Sequence, residues 1–416
     1  MFHRFQPALS RSVSFRWLLA QLACALLMAA GTPAGTRAHD DHLEGHLPEG
    51  PLASLTVPAP RGRTPRTVPP IAVTRESAFP ALGPISIGGV SYFPYRFEGH
   101  VHTAHSPDAR HSTVEILGAA ERMGLDALIF TDHGDSSARF DFPAYRGAAV
   151  PFVGREIAGA FGHAVIWNVT DDTRQIPSRT TLAERARFAH EHGGLLVFAH
   201  PGWWIDGNRA DPMEWMTPQA MQRGGVAGEV DAIELWNGVY HTPLAQLIAA
   251  WVSLLESGVY VPIVGNSDFH RADFHRLGNA HNIAFCDRPE LATCLWPAVR
   301  EGRIVVTDGP LAVLSVNEQL PGAVVNPAGA PLRVAVEALA PEGGTLRVYL
   351  GKAVVATLAL AAGAQMIGSW EVPAPQADSY VRIDIERPAR TRAQPPVSLL
   401  SNPVRIDVGT PRAAWR

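Results

Sequence analysis

Between about residue 91 and residue 310, short apolar runs alternate with segments whose apolar residues recur at helical spacing. Leu195 to Phe198 has the length of a buried strand, whereas Thr113 to Met123 repeats its apolar residues as one face of a helix does. Ser112 and Gly124 flank that second segment as a predicted helix N-cap and helix stop. This alternation predicts βα units and a mainly parallel sheet.

Beyond Pro310 the helical spacing disappears, and strand-like runs are separated by Gly and Pro turns. This pattern predicts a small all-β, sandwich-like domain over residues 311–416, with a structural or substrate-shaping role. The expected fold class is therefore α/β, with a βα domain over residues 91–310 followed by this β domain. The runs predicted as strands are Leu332 to Ala338, Thr345 to Leu350, Val354 to Leu360 and Tyr380 to Ile385.

Residues 1–38 have the features of a secretory signal peptide. Three arginines precede an apolar run from Trp17 to Ala30, and small residues follow it up to Ala38. The run is shorter than the roughly 20 apolar residues that a membrane-spanning helix needs, so cleavage after Ala38 is favoured over an uncleaved anchor. We expect a periplasmic or secreted protein without membrane contact after cleavage. Residues 39–90, rich in Pro, Arg and Thr, are predicted to form a linker or loosely packed arm.

Composition narrows the classes of function. The 416 residues suffice for two folded units, and a hydrophobic fraction of 46% is ample for packed cores. A formal net charge of -4 provides no general basic surface, so neither nucleic acid nor an anionic membrane is expected as a partner. Removal of the signal peptide leaves Cys286 and Cys294, which could form a disulfide in an oxidising compartment or be buried as separate small apolar side chains.

Histidines and carboxylates recur where the predicted strands end. In His100-Val101-His102 the two imidazoles face the same side, because side chains alternate along a strand. The carboxyl ends of parallel barrel strands meet at one rim, so residues that follow successive strands are expected to converge there. The other segments of this kind are Thr131-Asp132-His133-Gly134, Glu156, Gly162-His163, Ala199-His200-Pro201 and Ser267-Asp268-Phe269-His270.

This mixture of imidazoles and carboxylates, without a thiolate, suits borderline divalent ions such as zinc, manganese or iron. A bridging carboxylate can hold two such cations close together by offsetting their repulsion, and the pair can share a hydroxide as nucleophile. Metal binding lowers the pKa of water to about 7, so hydroxide is present at ordinary pH. The pattern therefore predicts metal-assisted hydrolysis.

Taken in this order, the motifs resemble those of the PHP (polymerase and histidinol phosphatase) family. The resemblance extends from about Phe97 to Pro310 and includes Ser106-Pro107-Asp108. Within the family, the chain is most similar to the carbaryl-hydrolase (CehA/McbA) branch. The segments that resemble the barrel end and the appended β domain of that branch are Arg300-Glu301-Gly302-Arg303, Thr307-Asp308-Gly309-Pro310 and Ser401-Asn402-Pro403.

The resemblance implies a distorted β/α (TIM-like) barrel with two or three divalent metal ions at its rim. It makes Glu156 the bridging ligand and leaves either Asp108 or His105 to complete the set, of which we favour Asp108. Asp132 is assigned to orienting a ligand, because ligating imidazoles usually donate their other N–H to a second group. Catalytic roles are assigned to Asp132, Asp268 and His270. The implied metal ligands are His100, His102, Asp108, His133, Glu156, His163, His200, Asp268 and His270.

Cleavage of a phosphoester by metal-bound hydroxide is the leading functional hypothesis, with a small-molecule ester as substrate. The carbaryl-hydrolase branch also permits a carbamate or carboxylic ester, and a non-catalytic, exported metal-binding interaction protein is the third alternative. A phosphate would need arginines near the rim, and remote arginines would favour the uncharged ester. His241 and His275 lie in predicted loops near the rim and are left outside the ligand set. The arginines considered for substrate binding are Arg139, Arg209 and Arg271.

Overall fold

The computed structural model of the chain describes its central and C-terminal parts. The predicted signal peptide (residues 1–38), most of the predicted arm (residues 39–90), Arg209 and His241 lie outside the described residues. The residues described are 69–73, 79, 82–159, 162–170, 180–201, 216–217, 228–238, 243–273, 275–388 and 395–409.

The first part of the described chain, up to Thr307, contains ten strands and four α-helices. Two short 3-10 helices cover Ser137–Phe140 and Phe142–Ala144. The strands are β1 (Ile85–Ile87), β2 (Val90–Val101), β3 (Ala127–Phe130), β4 (Val150–Gly159), β5 (Gly162–Trp167), β6 (Leu195–Phe198), β7 (Ala232–Asn237), β8 (Ile263–Asn266), β9 (His281–Cys286) and β10 (Ile304–Thr307). The helices are α1 (Thr113–Met123), α2 (Leu182–Glu191), α3 (Leu244–Glu256) and α4 (Leu291–Glu301).

The ends of α1 follow from its capping residues. At its start, the Ser112 hydroxyl accepts the Glu115 N–H at 3.3 Å. At its end, Gly124 adopts the left-handed conformation with a φ of 83°, which glycine accepts without a steric penalty. The N-cap and stop predicted from the sequence are confirmed. The loop between β2 and α1 carries Ser106 and Asp108.

The strands of this part form one sheet in the order β10-β9-β2-β3-β4-β5-β6-β7-β8. Pairing is parallel from β2 to β4 and from β6 to β8, but antiparallel at β2–β9, β9–β10, β4–β5 and β5–β6. The expectation of a mainly parallel sheet was therefore wrong. Only residues 160 and 161 separate β4 from β5, whereas a parallel pair needs a crossover of about a dozen residues or more.

The sheet curls so that the chain after β8 returns to the end of β2. Val101 and Phe269 form a parallel bridge, and the His102 N–H donates to the Phe269 carbonyl at 2.8 Å. The Gly99 N–H donates to the side-chain oxygen of Asn266 at 2.7 Å. The result is a mixed α/β architecture with a curled, half-barrel sheet, which brings the ends of distant strands to one rim.

Trp167 packs into the interior of this curl against Gly99. Its indole N–H donates to the Gly99 carbonyl at 2.8 Å, and a β-carbon at residue 99 would lie 2.2 Å from the indole ring. Any larger residue at this position would therefore force Trp167 out of the core. The close approach holds the β2 backbone immediately before His100.

The strands beyond Pro310 continue the same sheet and add a second one. They are β11 (Leu311–Val316), β12 (Val324–Val325), β13 (Leu332–Leu339), β14 (Gly344–Leu350), β15 (Ala353–Leu360), β16 (Gln365–Val372), β17 (Ser379–Glu386), β18 (Val397–Ser401) and β19 (Val404–Ile406). β18 pairs with β10, and the order runs β10-β18-β17-β19-β12, with β14 and β15 attached beside β17. β11, β13 and β16 form a three-stranded antiparallel sheet. Because one apolar cluster includes both Ile283 of β9 and Val334 of β13, a separate domain from residue 311 stays a prediction.

The two cysteines outside the predicted signal peptide are bonded to each other. Cys286 at the end of β9 and Cys294 in α4 are joined by a disulfide, with their Cα atoms 5.4 Å apart. The sequence left open whether these cysteines are bonded or buried separately, and in the structure they are bonded. Among the helices that the structure describes, none combines the length and the apolar character needed to cross a membrane.

Candidate metal centre

Imidazoles and carboxylates converge where β2, β3, β6 and β8 end, beside the hairpin of β4 and β5. His100 and His102 lie on the same side of β2, with ring centroids 5.1 Å apart. His200 follows β6, and Asp268 and His270 follow β8. The other residues that the rim brings into this cluster are Asp108 after β2, His133 after β3, Glu156 on β4 and His163 on β5.

Glu156 lies in the middle of the cluster and is almost completely buried. Its backbone N–H donates to the carbonyls of Thr131 and Asp132, so the end of β3 sets the position of its side chain. A carboxylate can bridge two cations when imidazole nitrogens that could bind a metal ion surround both of its oxygens. Its imidazole neighbours are His163 Nδ1 (2.6 Å) and His200 Nε2 (3.0 Å) at Oε1, and His133 Nδ1 (3.0 Å), His100 Nε2 (3.3 Å) and His102 Nε2 (3.3 Å) at Oε2.

A second carboxylate, Asp268, completes a group of buried atoms that point at one another. Oδ1 of Asp268 lies 3.3 Å from Nε2 of His100 and 3.3 Å from Nε2 of His102, yet none of these three buried atoms has a hydrogen-bond partner. Two donors bound at about 2.0–2.1 Å to one tetrahedral cation would be about 3.3 Å apart. The donor types, the spacing and the unpaired atoms therefore fit a divalent metal ion held between these residues.

Asp108, His133 and His270 form the outer side of the cluster. Oδ2 of Asp108 lies 3.1 Å from Nε2 of His133 and 3.2 Å from Nε2 of His270. The side chains of His133 and Asp108 are 29% and 31% exposed, whereas His100 is fully buried, so this side is the one that a substrate can reach. His105, the alternative to Asp108 in the sequence analysis, instead places Nε2 2.9 Å from Asp141 Oδ2.

Two of the clustered residues have a left-handed backbone, which is uncommon for residues other than glycine. The φ angle is 24° at His200 and 52° at Asp268, each two residues after the end of its strand, β6 or β8. Such conformations cost free energy and persist where the surrounding structure imposes them, often at functional sites. Here the turn aims each side chain back toward the rim.

Part of the chain that contains the cluster matches a known protein family. Residues 98–263 match the family model of the PHP domain. The match begins on β2 and ends at the start of β8, so it includes His100, Glu156 and His200 but stops before Asp268 and His270. The resemblance to this family is thereby confirmed for the matched residues. Among curated proteins, none matches the chain.

Solved structures similar to this chain include three bacterial proteins of low sequence identity. A two-domain protein from Bacteroides vulgatus, containing a predicted PHP-like metal-dependent phosphoesterase, is 16% identical, and the alignment covers 81% of this chain and 100% of that one with a TM-score of 0.47. A protein from Bifidobacterium adolescentis described as a metal-dependent phosphoesterase is 15% identical over 44% of this chain and 90% of its own, with a TM-score of 0.32. An amidohydrolase from Chromobacterium violaceum is 16% identical over 50% and 96%, with a TM-score of 0.34.

The buried carboxylates shift the pKa values of the imidazoles within the cluster. Burial lowers the pKa of His100, but the surrounding carboxylates, Asp268 first, outweigh burial and hold this pKa well above its usual value. Burial also opposes protonation of His133, yet Glu156 and then Asp108 raise its pKa to about 11. For Glu156 and Asp268 burial raises the pKa, and the nearby imidazoles bring it well below the usual range. The carboxylates are therefore ionised and attract positive charge, whether protons on the imidazoles or metal ions.

Asp132 acts on the cluster through other residues. Its Oδ1 accepts the Thr103 N–H at 2.7 Å and the Ser106 hydroxyl at 2.8 Å, and its Oδ2 accepts the Thr103 hydroxyl at 2.8 Å. The Ser106 oxygen in turn lies 3.1 Å from Nδ1 of His102 and accepts the His133 N–H at 3.0 Å. The contacts of Asp132 are those of a positioning residue.

Sequence reasoning missed Glu234 and left His275 outside the site. Glu234, fully buried on β7, has Oε1 3.0 Å from Nδ1 of His100. Nδ1 of His275 accepts the His270 N–H at 2.9 Å, and burial lowers the pKa of His275 to about 4, so this ring stays neutral. A signal for Glu234 was present: a carboxylate within the apolar run from Ala232 to Trp236 would be costly to bury unless it had strong partners.

The arginines considered for phosphate binding have partners in their own loops. Arg139 donates to the Ser136 carbonyl at 2.9 Å and hydroxyl at 2.7 Å, and its guanidinium stacks 4.3 Å from the Phe140 ring centroid. Arg271 lies 3.5 Å from Asp273. Arg209 lies outside the described residues.

Proposed function

We propose that the chain is an exported metal-dependent hydrolase that cleaves a phosphoester. One observation carries this proposal: Nε2 of His100, Nε2 of His102 and Oδ1 of Asp268 are buried, converge, and have no hydrogen-bond partner. Since buried polar atoms are nearly always paired, a bound cation is the partner that fits all three. The PHP domain match over residues 98–263 supports the same function.

The buried side of the cluster would hold the metal ions, and the exposed side would receive the substrate. The buried carboxylates Glu156 and Asp268 supply negative charge to hold divalent ions, which when bound provide Lewis-acid charge and lower the pKa of water. His100 and His102 close the inner side against solvent. Asp108 and His133 line the exposed side, where a phosphoester would enter and meet the positive charge.

A carbamate or carboxylic ester is the second candidate substrate, and the arginines favour it. Arg139 is held by Ser136 and stacked on Phe140, and Arg271 is paired with Asp273, so both guanidinium groups are already engaged. A dianionic phosphate would lose much of the bidentate recognition that arginine provides. Membership of the carbaryl-hydrolase branch, which stays a prediction, would favour the same uncharged ester.

Export is the part of the proposal that rests on the N-terminal sequence and on the disulfide. Disulfides persist in oxidising compartments and are rare in the cytosol. The bond between Cys286 and Cys294 is therefore in keeping with a periplasmic or secreted protein. N-terminal sequencing of the protein recovered from the periplasm would test this, and a start at His39 is expected.

The hydrolytic function is tested on the full chain loaded with Zn²⁺ or Mn²⁺. Turnover of an aryl phosphate, an aryl acetate and an aryl carbamate is measured before and after removal of metal with a chelator. We expect hydrolysis of the phosphate to require metal and to disappear in His270→Ala. His190→Ala is the matched control, because His190 is partly exposed on α2 and pairs with Asp231.

The same panel separates the three functions. Faster turnover of the acetate or carbamate than of the phosphate would replace the proposed substrate with the uncharged ester. Bound metal without turnover of any of the three would support a non-catalytic metal-binding protein. Hydrolysis that survives both the chelator and His270→Ala would reject the assigned site.

A further inference from the structure

Glu234 reaches the candidate metal centre from the side opposite Glu156. Nε2 of His100 faces Glu156 and Asp268, whereas Nδ1 of the same ring lies 3.0 Å and 3.3 Å from the two carboxylate oxygens of Glu234. Glu234 is fully buried on β7, so its charge must be satisfied entirely by protein groups. The inference drawn from it rests on the metal centre of the proposed function.

The other partners of Glu234 are all hydrogen-bond donors. The side-chain oxygen of Asn266 accepts the Gly99 N–H at 2.7 Å, which turns its NH2 group toward Oε1 of Glu234 at 2.6 Å. Oε2 accepts the backbone N–H of His200 at 3.0 Å and the NH2 group of Asn237 at 3.0 Å. Each oxygen of the carboxylate is thus held by donors whose direction is fixed by the backbone or by a second bond.

These contacts determine how His100 can bind a metal ion. A carboxylate only accepts hydrogen bonds, so Nδ1 of His100 must carry the proton toward Glu234, and Nε2 keeps a free lone pair on the metal side. The hydrogen bond from the backbone N–H of His200 to Oε2 of Glu234 restrains the left-handed backbone of His200. Asn237 links Glu234 to a third ligand, because its NH2 group also lies 3.3 Å from Oδ2 of Asp268.

We propose that Glu234 is a second positioning residue of the metal centre, beside Asp132, and that it sets the tautomer of His100, the backbone of His200 and, through Asn237, the orientation of Asp268. These three ligands come from the ends of three different strands. A single buried carboxylate therefore orients ligands that are far apart along the chain.

Glu234→Gln is a sharp test because an amide cannot replace this carboxylate in either orientation. Oε1 receives Asn266 and His100, and Oε2 receives His200 and Asn237. Whichever oxygen becomes an NH2 group, it will face two donors. The variant keeps the size of the side chain while it removes two of the bonds that orient the ligands.

The experiment measures Zn²⁺ binding to the full chain by competition with a chromophoric chelator, together with the visible spectrum of the Co²⁺ form. We expect Glu234→Gln to bind Zn²⁺ about 10- to 100-fold more weakly, the range found for residues behind metal ligands, with the same stoichiometry at saturation. The Co²⁺ absorption bands should shift because the ligand geometry changes.

Asp384→Asn is the matched control. Asp384 is also a buried carboxylate, on β17, and accepts bonds from Arg347 at 2.8 Å and Tyr349 at 2.9 Å, away from the rim. It should lower stability without changing the Zn²⁺ affinity or the Co²⁺ spectrum. Unfolding by urea, measured on both variants, shows whether their losses of stability are comparable.

Three results would overturn the proposal. Unchanged Zn²⁺ affinity and an unchanged Co²⁺ spectrum in Glu234→Gln would make Glu234 a packing residue. Loss of one ion at saturating Zn²⁺ would make it a direct ligand. A wild-type chain that binds no Zn²⁺ or Co²⁺ would reject this inference and the proposed function together, whereas metal binding without hydrolysis would reject only the proposed function.

Discussion

Replacing Ser106 with alanine would remove a hydroxyl that connects two candidate metal ligands to Asp132. The hydroxyl donates to Oδ1 of Asp132 at 2.8 Å, accepts the His133 N–H at 3.0 Å and lies 3.1 Å from Nδ1 of His102. Its single proton is directed to Asp132, so it can only accept from His102. This contact keeps the proton of His102 on Nδ1 and leaves Nε2 for a metal ion.

The magnitude follows from the three hydrogen bonds that Ser106→Ala removes from a buried position. At about 0.5–1.5 kcal/mol each, their loss should lower the free energy of unfolding by about 1.5–4.5 kcal/mol, with the higher value if the His133 N–H is left without a partner. Because His102 is no longer held in the metal-binding tautomer, Zn²⁺ affinity should fall by about 10- to 100-fold.

Urea unfolding measures the first effect, and competition with a chromophoric chelator measures the second. Ser112→Ala is the matched control, since it removes the same hydroxyl group from the N-cap of α1 at a cost of about 1 kcal/mol and should leave Zn²⁺ affinity unchanged. Equal Zn²⁺ affinity in the Ser106 variant and in the wild type would refute the reasoning about the tautomer, whatever the loss of stability.

The remaining predictions concern the number of ions, the protons they displace and the acid stability of the fold. Glu156→Gln removes the bridging charge and should lower the Zn²⁺ content by one ion per chain in elemental analysis; an unchanged content would remove its bridging role. Since the carboxylates raise the pKa of His133 to about 11 and that of His270 above its usual value, Zn²⁺ must displace protons, and its apparent affinity should rise with pH by about tenfold per unit for each proton released. Calorimetry in buffers of different ionisation enthalpy counts these protons, and a count of zero would contradict the charge assignment. Burial, with Arg96 nearby, lowers the pKa of His281 to about 3, so the folded state binds fewer protons than the unfolded one and stability is lost as pH falls from about 6.5 toward 3, at up to about 1.4 kcal/mol per unit. His281→Gln should reduce this slope in urea titrations between pH 4 and pH 6.5, and an identical slope would show that His281 does not cause it.

The strand ends that carry the cluster were predictable because buried strands leave a strong apolar signal. Leu195–Phe198 is β6 as predicted, and His200 stands out directly after it. The same contrast between an apolar run and a polar residue marks His133 after β3 and Asp268 after β8. Local patterns of this kind depend only on neighbouring residues, which the sequence displays.

The partners of the supporting residues could not be predicted, because they are distant along the chain, even where the sequence marks the residue itself, as it does for Glu234 within an apolar run. Glu234 orients His100 from 134 positions away, and Ser106 acts through Asp132, 26 positions away. The antiparallel placement of β9 beside β2 is likewise a long-range pairing without a local signal. Side-chain chemistry at the rim was thus visible in the sequence, while the hydrogen bonds that orient it required the fold.

The most direct measurement is anomalous X-ray diffraction at the zinc edge from crystals of the full chain grown with Zn²⁺. We predict an anomalous peak within bonding distance of Nε2 of His100, Nε2 of His102 and Oδ1 of Asp268, with Glu156 beside it. If the anomalous peaks at saturating Zn²⁺ lie only elsewhere in the protein, and no cation lies beside these three atoms, the proposed metal centre is wrong.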